Sequence, residues 1–225
     1  MGLTDHLALR TGLIDERLQA SLRDGIDQVV LLGAGFDARA YRLEGLEGAV
    51  VFEVDHPATQ AAKRRRVEGH DLLARELRYA ACDFGEISIG QALDTAGLDR
   101  TRPSFWIWEG VTMYLPEAAV RHTIQSIDEC AADGSVALAT YVTPRLAVRG
   151  GRVARMSRGV FRLLSEPLHS EYTPEQMASL WSQQGWATLR DEIPFEQARR
   201  FHIEPSPTAL LIPEERLTSV QKGPV

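Results

Sequence analysis

The sequence predicts a doubly wound α/β fold, a mostly parallel sheet with an antiparallel last strand, on three observations. Short apolar runs alternate with helix-periodic segments along the chain, as parallel strands and their crossover helices require. The first run, Val29-Val30-Leu31-Leu32, passes directly into the turn Gly33-Ala34-Gly35. The next three runs reach a carboxylate at or just beyond their ends, in Asp55, Asp83 and Glu109. In such sheets ligands bind beyond the carboxyl ends of the strands.

Residues 5–24 read as a first helix, with Thr4 as N-cap, Leu7, Ile14, Leu18 and Leu22 on one side, and Gly25 as the stop. Arg10 lies on it and, from the residues alone, is a solvated side chain. The run Val29–Leu32 has the β-branched, unbroken apolar character of a central strand buried on both faces. Its glycine turn lets backbone N–H groups come close to a ligand. A dinucleotide fingerprint would carry glycine or alanine at position 38, and Ala38 satisfies it only formally. Asp37 caps the following segment and puts an anion where a pyrophosphate would lie, so a ligand without phosphates fits better.

Val50–Asp55 is the second strand. Asp55 stands 20 residues after Gly35, the spacing of a ribose-binding acid. It also precedes Pro57, so it could instead cap the next helix. On that helix, Lys63-Arg64-Arg65-Arg66 reads as a solvated face. Glu76–Cys82 is the third strand, followed by Asp83 and Phe84, an acceptor for an exocyclic amine beside a ring that covers a base. Ser104–Glu109 is the fourth, ending before Gly110.

Leu115-Pro116-Glu117 opens a helix with Val120, Ile124, Ile127 and Ala131 at helical spacing, and Ser135–Val142 is the fifth strand. Thr173-Pro174-Glu175-Gln176 is a capping box that starts a helix carrying Met177, Leu180 and Trp181. Trp186–Ile193 and Thr208–Ile212 are the late strands, too closely joined for a helical crossover, which predicts an antiparallel edge strand. Arg149, Arg152, Arg155, Arg158 and Arg162 would line one side of a helix as a solvated or partner-facing stripe.

A chain of 225 residues with 44% hydrophobic composition can bury one core, so a single domain over 1–225 is expected. The net charge of −6 and pI near 5.6 point to a small-molecule partner rather than nucleic acid. Cys82 and Cys130 lack the spacing of a zinc site or disulfide framework, and no metal is expected. The N-terminus lacks the pattern of a signal peptide, and no apolar run approaches the roughly 18 residues of a membrane span. A cytoplasmic protein that engages no membrane is the expectation; nothing in the pattern selects an oligomeric state.

The segments V-V-L-L-G-A-G-F-D-A-R-A-Y-R-L, V-F-E-V-D-H-P with K-R-R-R after it, C-D-F, and W-E-G-V-T-M-Y-L-P, in this order, resemble the leucine carboxyl methyltransferase family. Its bacterial members include S-adenosylmethionine-dependent O-methyltransferases of polyketide and other secondary metabolism. The resemblance implies a class I methyltransferase fold, Rossmann-like and seven-stranded with a reversed last strand, that binds S-adenosylmethionine. A small helical cover is expected over about 144–172. By matching positions, Arg10 would pair with the methionine carboxylate, and Gly33, Ala34 and Gly35 would pass under the methionine and ribose. Asp55 would hold the ribose hydroxyls, Asp83 and Phe84 the adenine, and Glu109 the methionine amino group. On this assignment Arg10→Ala and Asp55→Ala weaken cofactor binding and leave the fold intact.

The implied reaction is methyl transfer to a carboxylate or hydroxyl of a small metabolite. A carboxylate acceptor needs alignment and removal of water more than a general base. Tyr114, in the M-Y-L-P segment, is the one catalytic candidate, equally readable as a half-buried packing aromatic. Departures from the family are Phe84 for leucine, Trp108 for a small residue, Ala38 for threonine, and only nine residues before Arg10, which implies a shortened cover. A second reading of the same residues is a cofactor-binding but inactive or regulatory protein. A third, an NAD-dependent oxidoreductase, is opposed by Asp37 and by the W-E-G-V-T-M-Y-L-P segment.

Overall fold

The computed structural model describes residues 3–83, 87–144, 168–201 and 215–223. Seven strands form one sheet in the order β3-β2-β1-β4-β5-β7-β6. They are β1 (Gln28–Leu32), β2 (Val50–Asp55), β3 (Glu76–Ala81), β4 (Phe105–Trp108), β5 (Val136–Val142), β6 (Trp186–Glu192) and β7 (Glu215–Lys222). β1 lies centrally between β2 and β4, parallel to both, and all five of its residues are buried. The expected buried character of Val29–Leu32 therefore follows from neighbours on both edges and helices on both faces.

The first five strands fall within one residue of their expected ends; four are apolar runs bounded by turns, and β3, E-L-R-Y-A-A, is the mixed one, with only Ala80 buried. The late strands differ. β7 begins at Glu215, and the expected strand Thr208–Ile212 lies outside the described residues. β7 is antiparallel to β5 and β6 and sits between them, so the antiparallel strand is interior and β6 forms the edge. Its Thr218 and Ser219 are 0% and 4% exposed. The strand is buried by its neighbours in the sheet and not by an apolar pattern of its own.

The helices are α1 (Leu3–Arg23), α2 (Arg39–Arg42), α3 (Pro57–Val67), α4 (Ile89–Ala96), α5 (Glu117–Cys130) and α6 (Pro174–Ser182). Thr4 lies inside α1 and is not its cap. The buried side of α1 is Leu9, Leu13, Ile14 and Leu18, while Leu7 is exposed, a rotation of the expected stripe. α1 packs on the face that carries Leu31, Ile107 and Leu138. α4 and α5 cover the opposite face with Trp106, Ile124 and Ile127. α4 starts at a Ser88–Gln91 capping box and stops at Gly97, in the left-handed region at φ 82°. The capping box expected at Thr173 is present, with Thr173 Oγ1 accepting from Gln176 N.

Lys63 corrects the solvated reading of its basic run. It is 1% exposed, and its Nζ lies 2.6 Å from Oε1 of Glu53, which is fully buried. Its neighbours do meet solvent, with Arg64 stacked 4.0 Å over the Tyr79 ring and Arg66 4.9 Å over Phe36. The arginine stripe at 149–162 and most of the expected cover at 144–172 lie outside the described residues. No described helix is long and apolar enough to cross a membrane.

Candidate active site

The turn after β1 is shaped by its glycines. Gly33 has φ +64°, and a Cβ there would meet Val111 Cγ2 at 2.9 Å, so both backbone and space exclude a larger residue. Gly35 follows at φ +48°, and its N–H donates to Asp55 Oδ2 at 2.5 Å. The other oxygen of Asp55 accepts from His56 N at 2.6 Å. The 20-residue spacing thus corresponds to a direct contact, and the cap of α3 is His56, whose Nδ1 accepts from Ala58 N. Asp37 accepts from Arg39 N at 2.8 Å and bonds the Arg39 guanidinium, but the N-cap of α2 is Ala38, so Asp37 stands one residue before the cap position expected of it.

Beyond the carboxyl ends of β1 and β4 lies a cavity of about 380 Å³. Arg10 and Glu109 line it together with Gly33, Ala34, Gly35 and Arg39. α1 carries Arg10 across the sheet to Glu109, whose Oε1 accepts from Arg10 Nε at 2.7 Å. Burial works against the Arg10 charge, but Glu215 and Glu109 outweigh it and hold the guanidinium protonated above its ordinary value. The solvated reading of Arg10 does not stand.

Three residues of this site carry no expectation from the sequence. Arg39, 2% exposed, meets Glu109 Oε2 at 2.9 Å and Asp15 Oδ1 at 2.6 Å. Its Nη2 is buried without a hydrogen-bond partner among the described residues. Glu215, at the start of β7, accepts from Arg10 Nη1 and meets His6 Nε2 at 2.6 Å. Arg39 stands inside the quoted segment A-R-A-Y-R-L, next to the acid it bonds, and that adjacency was its signal. Glu215 and His6 had none, being a lone acid in a polar strand and a lone histidine 209 positions away.

The remaining expected residues are more dispersed. Asp55 touches the glycine turn but does not line the cavity. Asp83 is half-exposed, with Oδ2 3.6 Å from His56 Nε2. Phe84 lies outside the described residues. Tyr114 ends the 3₁₀ turn Thr112–Tyr114, 36% exposed, and does not line the cavity. No group of three or more metal-ligating side chains occurs among the described residues.

A reversed seventh strand inserted beside the fifth, with a glycine turn and acids at the carboxyl ends, defines the class I methyltransferase fold. The model of the leucine carboxyl methyltransferase family matches residues 1–128, and the chain belongs to that family. A protein of Mycobacteroides abscessus assigned as an S-adenosyl-L-methionine-dependent methyltransferase is 42% identical over 149 residues, 66% of this chain and 49% of the relative. A Streptomyces coelicolor protein with the same assignment is 36% identical over 210 residues, 90% of this chain and 67% of the relative. The chain therefore spans about half to two thirds of the length of these relatives. The structure of an O-methyltransferase family protein from Burkholderia thailandensis aligns at TM-score 0.61 and 15% identity, covering 96% of this chain and 56% of that one.

Proposed function

We propose that the chain is an S-adenosylmethionine-dependent O-methyltransferase that acts on a carboxylate or hydroxyl of a small metabolite, with secondary metabolites in the cytoplasm as its acceptors. The observation that carries this reading is the pairing of Arg10 with Glu109 beside the glycine turn. A guanidinium and a carboxylate 2.7 Å apart match the carboxylate and ammonium of an amino-acid zwitterion. Arg39, which lines the same cavity, carries a buried Nη2 donor without a hydrogen-bond partner among the described residues, in keeping with a ligand that brings an anion. The two buried, unpaired cysteines agree with a reducing compartment.

Arg10 and Glu109 would hold the methionine end, Gly33, Ala34 and Gly35 would run beneath it, and Asp55 and Asp83 would hold the ribose and adenine. When bound, S-adenosylmethionine supplies the electrophilic sulfonium methyl. The protein's part is to align the acceptor oxygen and exclude water from it. A carboxylate acceptor suits this site, because no proton acceptor need be supplied by the chain.

The test is thermal unfolding in excess ligand, followed by transfer of a labelled methyl to a panel of small carboxylic acids and phenols. S-adenosylhomocysteine at 100 times its dissociation constant should stabilise by about 2.7 kcal/mol, raising the midpoint by roughly 5–11 °C, while NAD should not. Binding without transfer to any acceptor would favour the inactive or regulatory reading. Stabilisation by NAD alone would overturn the methyltransferase.

A further inference from the structure

Arg10 is held at two of its three guanidinium nitrogens. Nε donates to Glu109 at 2.7 Å, and Nη1 donates to both oxygens of Glu215, at 2.9 and 3.0 Å. Nη2 has no hydrogen-bond partner among the described residues. It lies beside Gly110, where an added Cβ would stand 3.7 Å from it. Glu215 is itself fixed. It is 5% exposed and bonded by His6 on its far oxygen, and His6 and Arg10 overcome its burial to keep it ionised below the ordinary carboxylate range. The clamp joins α1 to β7 through residues 205 positions apart in sequence.

We infer that Glu215 is a positioning residue for the amino-acid tail of the ligand, fixing Arg10 so that Nη2 is presented beside Gly110 to receive a carboxylate. This rests on the methyltransferase reading and adds to it a residue that no motif of the chain contains. The physical basis is preorganisation. An arginine without the clamp has several free torsions to immobilise on binding, and that entropy is lost from affinity. Glu109 holds Nε and Glu215 holds Nη1, so the two acids together fix the plane of the rigid guanidinium. His6 acts one step further out by fixing Glu215.

The inference is tested by calorimetric titration of Glu215→Gln and the unsubstituted chain with two ligands. S-adenosylhomocysteine carries the amino-acid tail, and 5′-methylthioadenosine has the same adenosine and thioether without it. Glu215→Gln should weaken S-adenosylhomocysteine binding at least about tenfold and leave 5′-methylthioadenosine within about twofold. Equal loss for both ligands would mark a merely structural role, and unchanged binding would mark none. Tighter S-adenosylhomocysteine binding would show Glu215 competing with the ligand carboxylate. Each of these overturns the inference. Failure of the unsubstituted chain to bind S-adenosylhomocysteine would instead overturn the methyltransferase reading itself. Should Glu215→Gln not fold, His6→Gln carries the test, with the same selectivity and a smaller loss expected.

Discussion

The cluster of buried charge at the candidate site and the Glu53–Lys63 pair on β2 and α3 solve one problem in different ways. At the site, Arg10 donates aligned hydrogen bonds to both Glu109 and Glu215, His6 bonds Glu215 as well, and Arg39 adds an ion pair to Glu109 at 2.9 Å. Glu53 and Lys63 approach to 2.6 Å, yet Glu53 Oε1, Oε2 and Lys63 Nζ have no aligned hydrogen-bond partner among the described residues. The consequences run in opposite directions. Glu215 is held below its ordinary value, while burial pushes Glu53 up to about 7, Lys63 notwithstanding. Proximity alone does not compensate the burial of a charge; several aligned partners do.

The largest expected effect comes from breaking the site network. Arg10→Ala leaves Glu215 with His6 alone and should cost about 3–5 kcal/mol of stability, in addition to ligand affinity. The expectation of an intact, undisturbed fold is therefore revised, because Arg10 is the counterion of a buried acid as well as a ligand donor. Chemical denaturation of the variant measures it, and a loss under about 1 kcal/mol would show that the network contributes little.

The Glu53–Lys63 pair should respond differently. Lys63→Met alone should cost roughly 1–3 kcal/mol near pH 7, softened because Glu53 takes up a proton. Glu53→Met with Lys63→Met should return the chain to within about 1 kcal/mol of its starting stability, or above it, since similar-sized apolar groups need no desolvation. A double variant less stable than Lys63→Met would erase the contrast between the two clusters.

A smaller effect is the pH dependence. Glu53 binds its proton more tightly when folded, at about 7 against 4.5, so its share of stability falls as pH rises from about 4.5 to about 7. Glu215 is shifted the other way, so its share is complete above about 4.5 and is lost as pH falls below that. Compared with Glu53→Gln across pH 5–7.5, the unsubstituted chain should lose on the order of 2 kcal/mol. A parallel pair of stability curves would remove the raised value of Glu53 from the comparison.

The sequence by itself determined the first five strands, the glycine turn and the acids at the strand ends. These are local matters: an apolar run, a residue able to take positive φ, and a fixed spacing act over a few residues or one crossover. The direct bond from Gly35 to Asp55 is the clearest case, a contact at the spacing from which the acid was read. Arg39 was within reach, lying in a recognised segment beside Asp37. Tertiary structure alone decided the rest. β7 is polar and is buried because β5 and β6 flank it, Lys63 is buried because α3 turns it onto β2, and Glu215 meets Arg10 across 205 positions. Such contacts leave no local pattern, because the free energy that selects them comes from pairing groups that only the folded sheet brings together.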